Sequence, residues 1–121
     1  EEGSGTRSAF EELVMGDAEI TPKGIVQDSN GSVRLLVADD PNAIGFISLG
    51  IADESVKTLD LDGVTPSRES IMEGTYSLSR PFLFVALEEP EGQTKHFIDF
   101  VLSKEGQKIL SDEGLVPSVK H

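Results

Sequence analysis

Three features of this sequence predict an α/β fold, a mixed sheet with flanking helices. Segments with apolar residues at helical spacing alternate with short apolar runs that carry no helical charge pattern. Serine, threonine and asparagine stand where those helical segments begin. Glycine and proline, 12 and 6 copies among 121 residues, separate the segments.

The first helix is predicted over Arg7 to Met15, behind "EEGSGT". Phe10, Leu13 and Val14 fall at i, i+3 and i+4, Glu11 and Glu12 lie on the solvated side, and Gly16 is the stop. Ile20, Ile25 and Val26 read as short extended pieces around Pro22 and Gly24. "DSNGSVRLLVADDP" reads as turn, helix and stop. Ser29 and Asn30 are capping types, Val33, Leu36 and Val37 form the apolar face, and Pro41 ends it.

"NAIGFISLG", residues 42–50, reads as a buried strand, and "KTLDL" alternates as a strand that ends at Asp62-Gly63. "TPSRESIMEG" places Pro66 at a first helical position after Thr65, with Gly74 as the stop. Residues 82–87, "FLFVAL", read as a central strand with Pro81 at its start, where a missing N–H is tolerated. Two helices close the chain. Phe97, Ile98, Val101 and Leu102 share one face, then Ile109 and Leu110 another. Ser103 is the N-cap between them and Gly114 the stop.

The length suits one compact domain with a modest core. No apolar stretch approaches the roughly 18 residues of a membrane span. The start carries no signal-peptide pattern, and a chain that begins Glu-Glu without Met reads as cut from something longer. Without cysteine there is neither a disulfide framework nor a thiolate metal site. The net charge of −12 opposes nucleic acid and anionic membranes as partners. It also means that an anionic ligand would have to be held by local hydrogen-bond donors.

"GSGT" ahead of a helix offers such donors. A helix start has backbone N–H groups without intrahelical partners and carries roughly half a positive charge. Glycine lets an anion approach the backbone, and the hydroxyls add donors. Ser4, Gly5 and Thr6 could form an oxyanion cradle, with the N–H of Arg7 as an additional donor. An ordinary capped helix start fits the same residues. A nucleotide P-loop does not fit, because no Lys-Ser/Thr follows the last glycine. A serine nucleophile does not fit either, because Gly-x-Ser-x-Gly is absent.

Other polar groups carry less. His96 and His121 lack the spacing and carboxylate company of metal ligands. Asp39-Asp40 and Asp60/Asp62 read as helix-end and turn residues, outside calcium-loop spacing. Arg80 before Pro81 fits a surface position or an element junction.

"EEGSGTRSAFEELVMG", "NAIGFISLG", "YSLSRPFLFVA" and "FIDFVLSKEGQKIL" resemble, in this order, segments of the phosphate-binding proteins of ABC-type phosphate importers, the PstS family. The resemblance runs through essentially the whole chain. It implies the C-terminal part of a two-lobed, type 2 periplasmic-binding-protein-like fold that closes on one phosphate. It implies that Ser4, Gly5 and Thr6 bind phosphate through backbone N–H and hydroxyl groups. It places residues 1–78 in the later part of lobe two and residues 79–121 in the return to lobe one. An arginine usually precedes this turn, and the first lobe supplies Thr, Ser and Asp ligands. Neither lies in this chain, so the N-terminal lobe is a missing partner.

The function implied is capture of inorganic phosphate outside the cytoplasmic membrane and delivery to an ABC permease, by a periplasmic, extracellular or lipid-anchored protein. No catalysis and no cofactor are implied. A binding protein for another tetrahedral oxyanion, or a stand-alone α/β interaction domain without a ligand site, are the alternatives. Unpaired strand edges in a partial fold predict either a rearranged compact unit or a homodimer formed by strand exchange.

Overall fold

The structure, a computed structural model, describes residues 1–118. His121 therefore lies outside the described residues. The chain divides into two units, Glu1–Ser79 and Arg80–His121.

The first unit opens with helix α1, Gly5–Phe10, capped by Ser4. It runs on as a single wide π-turn, Glu11–Met15, closed by the Gly16 N–H on the Glu11 carbonyl at 2.9 Å. The helix thus begins two residues before the predicted Arg7, and it ends where predicted. Gly16 stands at φ 57°, a backbone angle that glycine takes without strain.

Helix α2, Asn30–Asp39, begins at the predicted cap: the Ser29 hydroxyl accepts from Ser32 N at 3.1 Å. Its Val33 and Val37 face Gly45. A Cβ at Gly45 would stand 2.8 Å from Val33 Cγ1 and 3.1 Å from Val37 Cγ2. The glycine in "AIGF" therefore lets the 42–48 backbone lie against α2. Two polar links hold this arrangement. Asn30 Oδ1 accepts from Ser48 N at 3.1 Å, and Arg34 Nη1 donates to the Ile51 carbonyl at 3.0 Å. Arg34 also pairs with Asp53 at 2.8 Å.

Helix α3, Arg68–Met72, is short and is held by its caps. The Ser67 hydroxyl accepts from Ser70 N at 3.0 Å while the Ser70 hydroxyl accepts from Ser67 N at 2.9 Å. The Ser70 carbonyl then takes the N–H groups of Thr75 and Tyr76. Pro66 is not the first helical residue, contrary to expectation. It precedes the cap, because the serine behind it can satisfy an orphan N–H and proline cannot.

In the second unit α4, Gly92–Leu102, turns into α5, Lys104–Asp112, at Ser103. Ser103 is the predicted N-cap, with its hydroxyl accepting from Gly106 N at 3.2 Å. Gln107 is almost fully buried and bridges three segments. Its amide donates to the Val101 carbonyl at 2.9 Å, and its Oε1 accepts from Ser118 N at 2.8 Å. Phe84 meets Phe97 edge to face at 6.0 Å.

The mixed sheet is not assembled among the described residues. The one strand-like pairing is an isolated bridge between Leu61 and Val64 around Asp62-Gly63, both at positive φ. Thus Asp62-Gly63 is the expected turn, but "KTLDL" is not a ladder strand. Residues 42–50 do not form a buried strand: Ile44 is 81% exposed, and Leu49–Ile51 forms a 3-10 turn. Residues 82–87 are not a central strand either, with Val85 92% exposed. The extended pieces expected between 17 and 28 are likewise unpaired. A strand exists only through a neighbour in register, and these runs have none among the described residues. Correspondingly, no hydrophobic residue among them is fully buried.

Candidate functional site

Glu1 to Ser4 form a tight turn closed by Ser4 N on the Glu1 carbonyl at 3.3 Å, with Gly3 at φ 79° where such a turn needs a positive angle. Ser4 is extended, at φ −67° and ψ 125°, so its side chain folds back over the helix start. Its hydroxyl oxygen accepts from Arg7 N at 3.3 Å, and its carbonyl accepts from Ser8 N at 3.0 Å. Gly5 and Thr6 sit in the first helical turn, where no intrahelical carbonyl is in reach. Their N–H groups, and the Thr6 hydroxyl, have no hydrogen-bond partner among the described residues. Gly5 is exposed and Ser4 and Thr6 are half-buried, so the donors are open to a ligand.

Three of the residues singled out from sequence, Ser4, Gly5 and Thr6, therefore come together as a small donor surface. Arg7 differs. Its N–H is already taken by the Ser4 hydroxyl, and its Nε donates to Glu11 Oε1 at 2.8 Å, one turn along the helix. That hydrogen bond, together with the charges of Glu11 and Glu2, raises the Arg7 pKa further above its ordinary value. Arg7 stays cationic but is neutralised by its own helix. The turn thus presents backbone dipoles and hydroxyls rather than a free positive charge.

Phe10, in the last position of α1, stacks on Phe46 with ring centroids 4.2 Å apart and planes within 7°. This contact ties the helix that carries the turn to the 42–48 segment, which Asn30 and Gly45 hold on α2. The sequence reading missed it. An aromatic residue one turn beyond Thr6 and another in "IGF" were the available signal, but nothing local says that they meet.

Elsewhere the chemistry is sparse. No three His, Asp or Glu side chains converge among the described residues, and His96 lies on α4. In the second unit, a shallow concavity of about 490 Å³ is lined by Phe84, Leu87, Phe97 and Ile98 with Glu88 and Glu89. Its apolar walls and carboxylates do not suit an anion.

A family model described as "PBP superfamily domain" matches residues 1–105. The chain is 41% identical over 128 residues to "Phosphate-binding protein PstS 2" of Streptococcus agalactiae, covering 97% of this chain and 43% of that protein. It is 33% identical over 118 residues to "Phosphate-binding protein PstS" of Bacillus subtilis, covering 96% and 39% respectively. Among solved structures, a phosphate ABC transporter substrate-binding protein with bound phosphate from Clostridium perfringens matches with TM-score 0.80 and 41% identity. That match covers 99% of this chain and 50% of the other. A phosphate-binding protein of a phosphate ABC transporter from Streptococcus pneumoniae matches with TM-score 0.84 and 36% identity, over 100% and 50% of the two chains. The chain thus shares the fold of half of each structure and spans less than half the length of the curated relatives it matches.

Proposed function

The chain belongs to the PBP superfamily, and from that premise we propose that it is part of an extracytoplasmic solute-binding protein that captures inorganic phosphate for an ABC permease. One observation carries the reading. The Ser4-Gly5-Thr6 turn holds unpartnered N–H and hydroxyl donors at a helix start. It does so in a chain 41% identical to a structure that holds phosphate.

The chemistry follows from the donors. Phosphate oxygens accept from the Gly5 and Thr6 N–H groups and from the Ser4 and Thr6 hydroxyls, with the helix dipole behind them. The Ser4 hydroxyl can donate to the ligand while it still accepts from Arg7 N, because a hydroxyl does both. With the Arg7 side chain held by Glu11, binding depends on hydrogen-bond geometry, and net attraction plays little part in a chain of charge −12. The reaction is capture and release by domain closure, without a bond made or broken.

These donors cover part of a tetrahedral anion. We propose that the remaining ligands, and the strand partners of 42–48 and 82–87, come from the other half of a two-lobed protein. In this reading residues 1–78 belong to lobe two and residues 79–121 return to lobe one. The exposure of Ile44, Phe82, Val85 and Leu87 supports it, since a self-sufficient domain would cover such residues. For the same reason a stand-alone interaction domain is disfavoured.

Titration calorimetry tests the proposal. A full-length two-lobed protein is expected to bind phosphate and discriminate against sulfate, while these 121 residues alone bind weakly or not at all. Tight, selective phosphate binding by the chain alone would refute the need for a second lobe. Sedimentation at several concentrations separates a monomer from a strand-exchanged dimer.

A further inference from the structure

The geometry points to Phe46 as a positioning residue for phosphate capture: through its stack on Phe10 it sets the tilt of α1 and hence the placement of the Gly5 and Thr6 donors. The inference rests on the reading of the turn as a phosphate site. Thr6 and Phe10 are four residues apart on one helix, so they share a face and lie about 6 Å apart along the axis. The face that carries the Thr6 hydroxyl is therefore the face that rests, one turn lower, on the Phe46 ring.

Little else fixes that face. Helix α1 is 6 residues long, and neither it nor the following π-turn contains a fully buried residue. The Phe46 side of the stack is well anchored. Ser48 is bonded to Asn30 at 3.1 Å, and Gly45 lies against Val33 and Val37. The near-parallel rings, at 7°, oppose tipping of the helix, which would open the stack and lose its attraction beyond the burial of the rings. The lever is short and sensitive. A tilt of about 10° pivoting at Phe10 moves Thr6 by about 1 Å, twice the roughly 0.5 Å within which a binding constellation has to be held.

The test uses the full-length phosphate-binding protein and inorganic phosphate, with Kd measured by calorimetry well below each variant's unfolding transition. Phe46→Leu keeps an apolar contact but removes the ring. It is expected to weaken phosphate binding about tenfold and to speed hydrogen exchange at Arg7 and Ser8, whose N–H groups are bonded to Ser4, in the unliganded protein. Phe46→Tyr restores the ring and is expected to bind within about twofold of the parent. If Phe46→Leu does not fold, Phe10→Leu carries the same expectation from the other side of the stack. Thr6→Ala separates the two levels of the argument. Unchanged affinity both in Thr6→Ala and in Thr6→Pro, which also removes the N–H at a first-turn position that tolerates proline, overturns the phosphate turn itself. A loss in either Thr6 variant beside unchanged affinity in the folded ring-to-leucine variant overturns the positioning role alone, whatever happens to its melting temperature.

Discussion

Replacing Gly106 by alanine sets two physical effects of opposite sign against each other. Gly106 lies in the first turn of α5, and alanine there gains about 1 kcal/mol of helix propensity over glycine. The structure opposes that gain. A Cβ at this position would stand 2.7 Å from both Val101 Cα and the Val101 carbonyl oxygen, and closer still to the Phe100 carbonyl. These are backbone atoms, so no rotamer change relieves the clash and the α4–α5 corner has to open. Overpacking of this kind costs about 1–3 kcal/mol. Opening the corner also stretches the Ser103 cap on Gly106 and the Gln107 bond to Val101, each worth about 1 kcal/mol. The expected net effect of Gly106→Ala is therefore a destabilisation of about 2–4 kcal/mol. Gly31→Ala is the control. It also sits in a first helical turn, but its Cβ would meet nothing nearer than Ser29 Oγ at 3.9 Å, so it should stabilise by up to about 1 kcal/mol. Urea unfolding followed by circular dichroism, with hydrogen exchange of the α5 amides, reads both. Stabilisation by Gly106→Ala equal to that of Gly31→Ala would refute the close approach of α5 to the end of α4.

Three further outcomes are expected. Ser70→Ala removes the reciprocal half of the α3 capping box and leaves Ser67 N without its side-chain acceptor, for a loss of about 1–2 kcal/mol in urea unfolding. Gln107→Ala removes its bonds to the half-buried Val101 carbonyl and to the exposed Ser118 N and should cost about 1–2 kcal/mol, with faster exchange at Ser118. Asp53 is held below the usual carboxylate range chiefly by the Ser55 hydroxyl and N–H, with Arg34 adding to it. A depressed carboxylate stabilises the fold above its unfolded pKa, and that contribution is lost as pH falls through the folded value. Carbon-detected NMR titration should show Ser55→Ala moving Asp53 up toward its ordinary value; an unmoved titration counts against the Ser55 bonds.

What could be read from the sequence was what is decided locally. Ser29 and Ser103 cap the helices expected of them, because a cap is a bond between residues three apart. The turn at Ser4, Gly5 and Thr6 was legible for the same reason, and so were the stops at Gly16 and Gly74. The strands were not, since a run such as "FLFVAL" carries its β character in its residues but owes its pairing to a neighbour that composition does not supply. Burial failed with it: Leu87 is fully exposed although its neighbours spell a core. The Phe10–Phe46 stack joins residues far apart in sequence, and no periodicity announces it. Gly45 and Gly106 were visible as glycines, but the close approaches that require them belong to packing.

The π-turn at Glu11–Met15 has a bearing on how this protein tolerates insertion and deletion. A π-turn holds one more residue than an α-turn, so it behaves as an insertion absorbed without breaking the helix. Deleting one residue within it would restore ordinary α geometry and leave the chain beyond Gly16 close to its present direction, because the residue removed is the one that the wide turn absorbs. Ser4 to Phe10 would keep their own spacing, because they lie upstream of the change. The wide turn thus works as a length buffer, letting the loop beyond it vary while the donors of the turn and the ring beneath them remain one turn apart.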